Sequence, residues 1–143
     1  MRDIKRIPVR GKRVLVRVDF NVPISNGIVR DDTRVKATLP TVKYLTENGA
    51  IVILMSHLGR PKGKVKKELS LKPVARVLST LINQDVKFVP ESIGDKVKST
   101  IDASEEGDVI LLENLRFHPE EKENDSEFSR KLSELGDIYI NDA

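Results

Sequence analysis

Three arginines, a histidine and two short polar residues are side chains of this sequence that could together hold a small anionic metabolite bearing hydroxyl groups, the cations taking its charge and the acid a hydroxyl: Arg34, Arg60, Arg116, His57, Asp19 and Asn21. The densest stretch runs from Ala50 through Met55 into Ser56-His57-Leu58-Gly59-Arg60-Pro61-Lys62-Gly63-Lys64. Its first half is a short apolar run, rich in β-branched residues and bounded by glycines, which predicts a strand buried on both faces. Such strands belong to parallel sheets covered by helices, where ligands bind beyond the carboxyl ends of the strands. Arg60 can hold a phosphate or carboxylate through two parallel hydrogen bonds, and Gly59 and Gly63 let backbone approach a ligand closely. A solvated basic turn accounts equally for the loop taken alone, since Arg60, Lys62, Lys64, Lys66 and Lys67 follow one another with no acid before Glu68.

Other apolar runs end in the same way. Lys12–Val18 alternates and is rich in valine, a strand pattern, and Asp19-Phe20-Asn21-Val22-Pro23 follows it. Asp19 and Asn21 can serve a ligand or tie down their own turn as Asx residues do. Val109–Leu112 is wholly apolar and leads into Glu113-Asn114-Leu115-Arg116. Arg34 lies near an expected helix start at Asp31-Asp32-Thr33. A cation there opposes the helix dipole by roughly 0.3–1 kcal/mol, which a bound anion reverses or the two aspartates neutralise.

The elements that must position these residues alternate along the chain. A small hairpin is expected around Ser25-Asn26-Gly27. A helix with Val35, Leu39, Val42 and Leu45 on one stripe precedes Gly49, and either starts just before Pro40 or is kinked there. Ser70 is the expected cap of a helix with Pro73 in its first turn and Val74, Val77, Leu78 and Leu81 inward. Val86–Val89 reads as a strand, Ile93, Val97 and Ile101 mark a helix, and Phe128, Leu132 and Leu135 mark another that stops at Gly136. Ile138–Ile140 is the last strand, followed by Asn141-Asp142-Ala143. This alternation predicts an α/β fold: a three-layer, doubly wound, Rossmann-like parallel sheet of about five strands with helices on both faces. Right-handed crossovers then bring every carboxyl end to one edge, collecting Asp19, Asn21, His57, Arg60 and Arg116, with Arg34 near them. That set suits a small anionic metabolite bearing phosphate, carboxylate and hydroxyl groups.

Composition narrows the classes further. The 143 residues fit one domain. No apolar run is long enough to span a bilayer and the first residues lack a signal-peptide core, so no membrane association is expected. The absence of cysteine fits a reducing cytoplasm. A net charge of +3 with 4% aromatic residues gives no basis for nucleic acid as a partner. Neither a Gly-x-Gly-x-x-Gly pattern nor a P-loop occurs. No cluster of metal-ligand spacing appears, so neither a cofactor nor a metal is expected.

Five motifs in order resemble the phosphoglycerate kinase family: Arg17-Val18-Asp19-Phe20-Asn21-Val22-Pro23, Asp31-Asp32-Thr33-Arg34, Ser56-His57-Leu58-Gly59-Arg60-Pro61, Leu112 through His118, and Asn141-Asp142-Ala143. The resemblance covers essentially the whole chain. It implies an incomplete amino-terminal, substrate-binding domain over residues 1–143, one strand short of the family's six, without the nucleotide-binding domain. It implies that Asp19 and Asn21 bind the hydroxyl and carboxylate region of 3-phosphoglycerate, that His57, Arg60 and Arg116 hold its phosphate, and that Arg34 contacts the carboxyl and is catalytic. The parent would reversibly transfer phosphate from 1,3-bisphosphoglycerate to ADP in glycolysis and gluconeogenesis, in the cytoplasm and as a monomer. MgATP and MgADP would be co-substrates held outside this fragment. The fragment would bind 3-phosphoglycerate weakly, would not catalyse, and would self-associate through apolar faces left open. Two alternatives compete: a doubly wound phosphoacceptor domain using Asp19 or Asp142, which lacks the acidic pair expected beside the acceptor, and an interaction module binding polyanions through Arg60 to Lys67.

Overall fold

The computed structural model describes residues 7–59, 66–117 and 126–142. Its elements in chain order are β1 (Arg13–Val18), β2 (Ile24–Ser25), β3 (Ile28–Val29), α1 (Thr33–Ala37), α2 (Leu39–Glu47), β4 (Ile51–Met55), a 3-10 turn at Lys67–Leu69, α3 (Lys72–Ile82), β5 (Val86–Val89), α4 (Asp95–Asp102), β6 (Val109–Leu112), a 3-10 turn at Leu115–Phe117, α5 (Ser126–Ser133) and β7 (Ile138–Asp142). Five strands form one sheet in the order β5-β6-β4-β1-β7, every pair parallel, and β2 and β3 form the expected hairpin. The sheet therefore has all its carboxyl ends on one edge.

Alternation along the strands divides the core into two layers. Val14, Val16 and Val18 of β1, Val52 and Leu54 of β4, and Val109 and Leu111 of β6 pack with Val35 of α1, Val42 and Leu45 of α2, and Val74, Ala75 and Leu78 of α3. Their neighbours Leu15, Ile53, Met55, Ile110 and Leu112 point the other way, against Val97 and Ile101 of α4 and Leu132 of α5. Helices α1–α3 thus cover one face, and α4 and α5 the other. The chain leaves β4 toward the first face and β6 toward the second. These strands are neighbours, so their carboxyl ends diverge at a switch point, where sheets of this class open a crevice.

The helix expected after Asp32 is two helices. Thr38 breaks it: buried at 3% exposure, its hydroxyl donates to the Val35 carbonyl at 2.7 Å. Helix α2 restarts at Leu39 with Pro40 in its first turn, where the missing N–H costs no bond. The expected Ser70 cap also needs correction. Leu71 occupies the cap position of α3, while the Ser70 hydroxyl accepts the Lys72 N–H at 3.2 Å and donates to Glu113 at 2.7 Å. Ile93 and Leu135 pack in the core yet lie outside α4 and α5, so their periodicity belongs to the flanking turns. The strand expected at Ile138–Ile140 runs on through Asp142, paired with β1 along its length. The large hydrophobics left exposed among the described residues are Ile28 and Tyr139.

Candidate functional site

The carboxyl ends of β1, β4 and β6 lie side by side because those strands are adjacent in the sheet. Three loops leave them, and buried polar groups stitch the loops together. Ser56, fully buried, sits in the middle. Its Oγ accepts the N–H of Phe20 at 3.0 Å and donates to the carbonyl of His57 at 2.9 Å. Its carbonyl accepts the N–H of Leu115 at 3.0 Å. One residue at the end of β4 therefore holds the loop after β1 on one side and the loop after β6 on the other.

Asp19, Asn21 and Arg34 are brought together on the β1 side. Asp19 Oδ1 accepts the Asn21 N–H at 3.1 Å, the Asx turn that a structural role requires, and also faces Arg34 Nη1 at 3.4 Å. Arg34 Nη1 donates to the Asn21 carbonyl at 2.7 Å. Its side chain is 54% exposed and that of Asp19 is 44% exposed, so the pair is open to water and weak by itself. Neither neighbouring aspartate neutralises Arg34 by direct pairing. Asp32 faces Lys36 at 3.5 Å. Asp31 accepts both the hydroxyl and the N–H of Thr33, and those two bonds, the hydroxyl first, hold its carboxyl below the usual value. Helix α1 has only five residues, so its dipole adds little at Arg34. The position of Arg34 comes from Asn21 and Asp19.

Asn21 joins this cluster to the β4 loop, its Oδ1 accepting the N–H of Gly59 at 2.9 Å. Gly59 adopts φ +62°, a left-handed conformation that favours glycine. A β-carbon there would also come within 2.8 Å of the Leu69 side chain. His57 and Arg116, both half-buried, lie on the β4 and β6 loops, and each has interactions of its own. Arg60 lies outside the described residues. Five of the six expected site residues thus fall on this one edge.

Ser56, Glu113 and Asn114 carry roles here that their place in the sequence motifs does not assign. Glu113, 9% exposed, accepts the N–H groups of Leu71 and Asn114, both at 2.9 Å, through Oε1, and the Ser70 hydroxyl through Oε2. Asn114 bonds Leu58, Leu69 and Arg116. The available signal was their position directly after an apolar strand, where a buried acid and amide need backbone partners.

Chemically the edge combines guanidinium and imidazole groups with a carboxylate and a carboxamide on rigid strand ends. Such a set can bind and orient an oxyanion; among the described residues it contains no Ser-His pair, since the Ser56 hydroxyl is committed to backbone. Among the described residues no group of three or more His, Cys, Asp or Glu side chains is placed to hold a metal ion. No helix among them is long and apolar enough to cross a membrane. A cavity of about 440 Å³ lies away from this edge, between the hairpin and the start of α3, and is lined by none of the candidate residues.

The model of the phosphoglycerate kinase family matches residues 4–143. Phosphoglycerate kinase of Borrelia turicatae is 56% identical over 143 residues, covering 100% of this chain and 36% of that protein. That of Moorella thermoacetica is 56% identical over 140 residues, covering 98% and 36%. Among solved structures, phosphoglycerate kinase from Pyrococcus horikoshii OT3 aligns with a TM-score of 0.88 at 34% identity, covering 100% of this chain and 36% of the other. The Coxiella burnetii enzyme aligns at 0.85 and 40% identity, covering 98% and 34%. The chain spans about 36% of the length of these curated relatives.

Proposed function

The chain belongs to the phosphoglycerate kinase family, and from that premise we propose that its carboxyl edge is the phosphoglycerate-binding half of an enzyme that reversibly transfers a phosphoryl group between 1,3-bisphosphoglycerate and ADP. The observation that carries this reading is the stitching of three adjacent strand-end loops, which holds Arg34, His57 and Arg116 on one edge with Asp19 and Asn21. Residues 1–143 then act as the substrate-binding domain. MgADP and MgATP are co-substrates held outside this chain, so no step is assigned to the nucleotide here.

In the transfer, an oxygen of the ADP terminal phosphate forms a bond to phosphorus as the bond from phosphorus to the substrate's carboxyl oxygen breaks. The electron pair returns to the carboxylate of 3-phosphoglycerate. Little covalent chemistry is left to the protein, and catalysis is mostly positioning and charge stabilisation. Arg116, His57 and Arg60 hold the phosphate that stays. Asp19 and Asn21 take the hydroxyl and carboxylate region; Asn21 Oδ1 is already engaged by Gly59, so its NH2 group is the part offered to a ligand. Arg34 is the catalytic residue. Its Nη1 is anchored to Asn21 and Asp19, while the remaining N–H groups of its fork have no partner among the described residues and can answer charge on the group in flight.

Calorimetric titration of the 143-residue chain at low salt tests the proposal. It predicts weak binding of 3-phosphoglycerate and no detectable binding of MgADP, because these 143 residues span about 36% of the length of the relatives. Tight MgADP binding without response to phosphoglycerate would overturn the site.

A further inference from the structure

We infer that Asn114 is a positioning residue: its buried carboxamide clasps the neck of the basic loop between Leu58 and Leu69 and locks that neck to the turn carrying Arg116. The inference deepens the proposed function and rests on reading this edge as the phosphoglycerate site.

A carboxamide offers two donors and two acceptor lone pairs, and Asn114 uses all four. It is 1% exposed. Nδ2 donates to the Leu58 carbonyl at 2.7 Å and to the Leu69 carbonyl at 3.0 Å. Oδ1 accepts the N–H of Leu58 at 3.2 Å and that of Arg116 at 3.0 Å. The two carbonyls lie on opposite arms of one loop, so a single NH2 group pinches it shut. Between them lie Arg60, Lys62, Lys64, Lys66 and Lys67 against one acid, Glu68. A neutral group with donors for both carbonyls can hold that neck, whereas a carboxylate of the same size would repel both.

The clasp is braced on each side. Glu113, next in the chain, fixes Ser70 and Leu71 just beyond the neck. Asn21 fixes Gly59 just inside it. The described ends of this loop, Leu58-Gly59 and Leu69, are therefore tied to the β1 side by one amide and to the β6 side by another, and the second also sets the backbone of Arg116. A phosphate held by His57 and Arg116 needs side chains from two loops in one geometry. Fixing the backbone at Leu58 and Arg116 in advance removes that cost from the binding step.

Three variants of the chain, each confirmed folded by circular dichroism, test this by amide hydrogen exchange and by calorimetric titration of 3-phosphoglycerate. Asn114→Ala removes donors and acceptor together: exchange at the Leu58 and Arg116 amides rises, and affinity falls, each by about tenfold or more. Asn114→Asp keeps the acceptor and loses the donors, so those two amides stay protected while affinity still falls about tenfold. Ile101→Ala opens a cavity in the opposite layer, destabilises the fold, and leaves affinity within about threefold of the parent. A merely structural Asn114 would not separate the aspartate from the alanine variant in this way. The inference is overturned if Asn114→Asp binds within about threefold of the parent, or if Ile101→Ala loses as much affinity as Asn114→Ala. Should the alanine variant fail to fold, the aspartate variant decides alone. If the parent itself does not bind 3-phosphoglycerate, the proposed function falls and exchange in the ligand-free chain judges the clasp. Acceleration in Asn114→Ala confined to Leu58, Arg116 and residues 66–69 sustains it; uniform acceleration through the sheet overturns it.

Discussion

Replacing Ser56 by alanine removes one oxygen from the middle of the site and should loosen two loops at once. The serine is fully buried, so water cannot replace what is lost. Two backbone groups lose their partner: the N–H of Phe20, itself fully buried, and the carbonyl of His57, on a half-buried residue. An orphaned buried donor costs about 1–3 kcal/mol. The His57 carbonyl lies closer to solvent and contributes at the low end of that range. The change leaves little cavity, so the transfer contribution is small. With an unfolding entropy of roughly 2.1 cal/mol/K per residue, this chain changes stability by about 0.3 kcal/mol per degree near its midpoint. The two losses together come to about 2–4 kcal/mol, so Ser56→Ala should lower Tm by about 7–13 °C. Differential scanning calorimetry gives the shift, and hydrogen exchange at Phe20 locates it. Because Phe20 lies between Asp19 and Asn21, affinity for 3-phosphoglycerate should fall with it. A Tm within about 1 °C of the parent, with the Phe20 amide still protected, would show that the hydroxyl does not hold the β1 loop.

Arg34→Ala, in a chain extended to the length of its relatives, should lower kcat by about 10²–10³ and leave KM for 3-phosphoglycerate nearly unchanged, whereas Arg60→Ala should act mainly on KM. A kcat within about threefold of the parent in steady-state kinetics would reduce Arg34 to a positioning residue. Gly59→Ala forces a β-carbon onto a left-handed backbone and against Leu69, and should cost about 1–2 kcal/mol while weakening phosphoglycerate binding; urea melts and titration read the two effects. Asp108 gives a pH signature: burial pushes its carboxyl up, but the Glu105 N–H at 2.8 Å and the Lys87 ammonium at 3.0 Å outweigh that and leave it below the usual value of 3.8. Its contribution is therefore present above the unfolded-state pKa and lost as pH falls through the lower folded-state value. Both partners are about a third exposed, so Asp108→Asn should cost under about 1 kcal/mol at pH 7, and melts repeated at falling pH should show the gap from the parent closing.

What the chain alone determined is clearest where side chains answer only to their neighbours in sequence. Val109–Leu112 is a strand to the residue because a short apolar run of β-formers between turn residues has no other place to bury both faces, and Val86–Val89 is one to the residue although Lys87 and Phe88 stay partly open at the sheet edge. Asp19, Asn21, His57 and Arg116 stand at strand ends, and a parallel sheet brings such ends to one edge whatever its order. Pro40 marked the start of α2 just before it. The capping of α3 was not legible, because it depends on Ser70 being drawn to Glu113. The strand order itself was decided only by the tertiary structure. The order β5-β6-β4-β1-β7 makes β4 and β6 neighbours, and with them the loops at His57 and Arg116. Ser56, Glu113 and Asn114 act on backbone groups tens of residues away. Periodicity records which face of an element is apolar; it carries no information about which loop will lie beside a buried hydroxyl or amide. That choice is made when the sheet assembles, because a polar group sealed from water must then bond to whatever backbone the strand order has placed next to it.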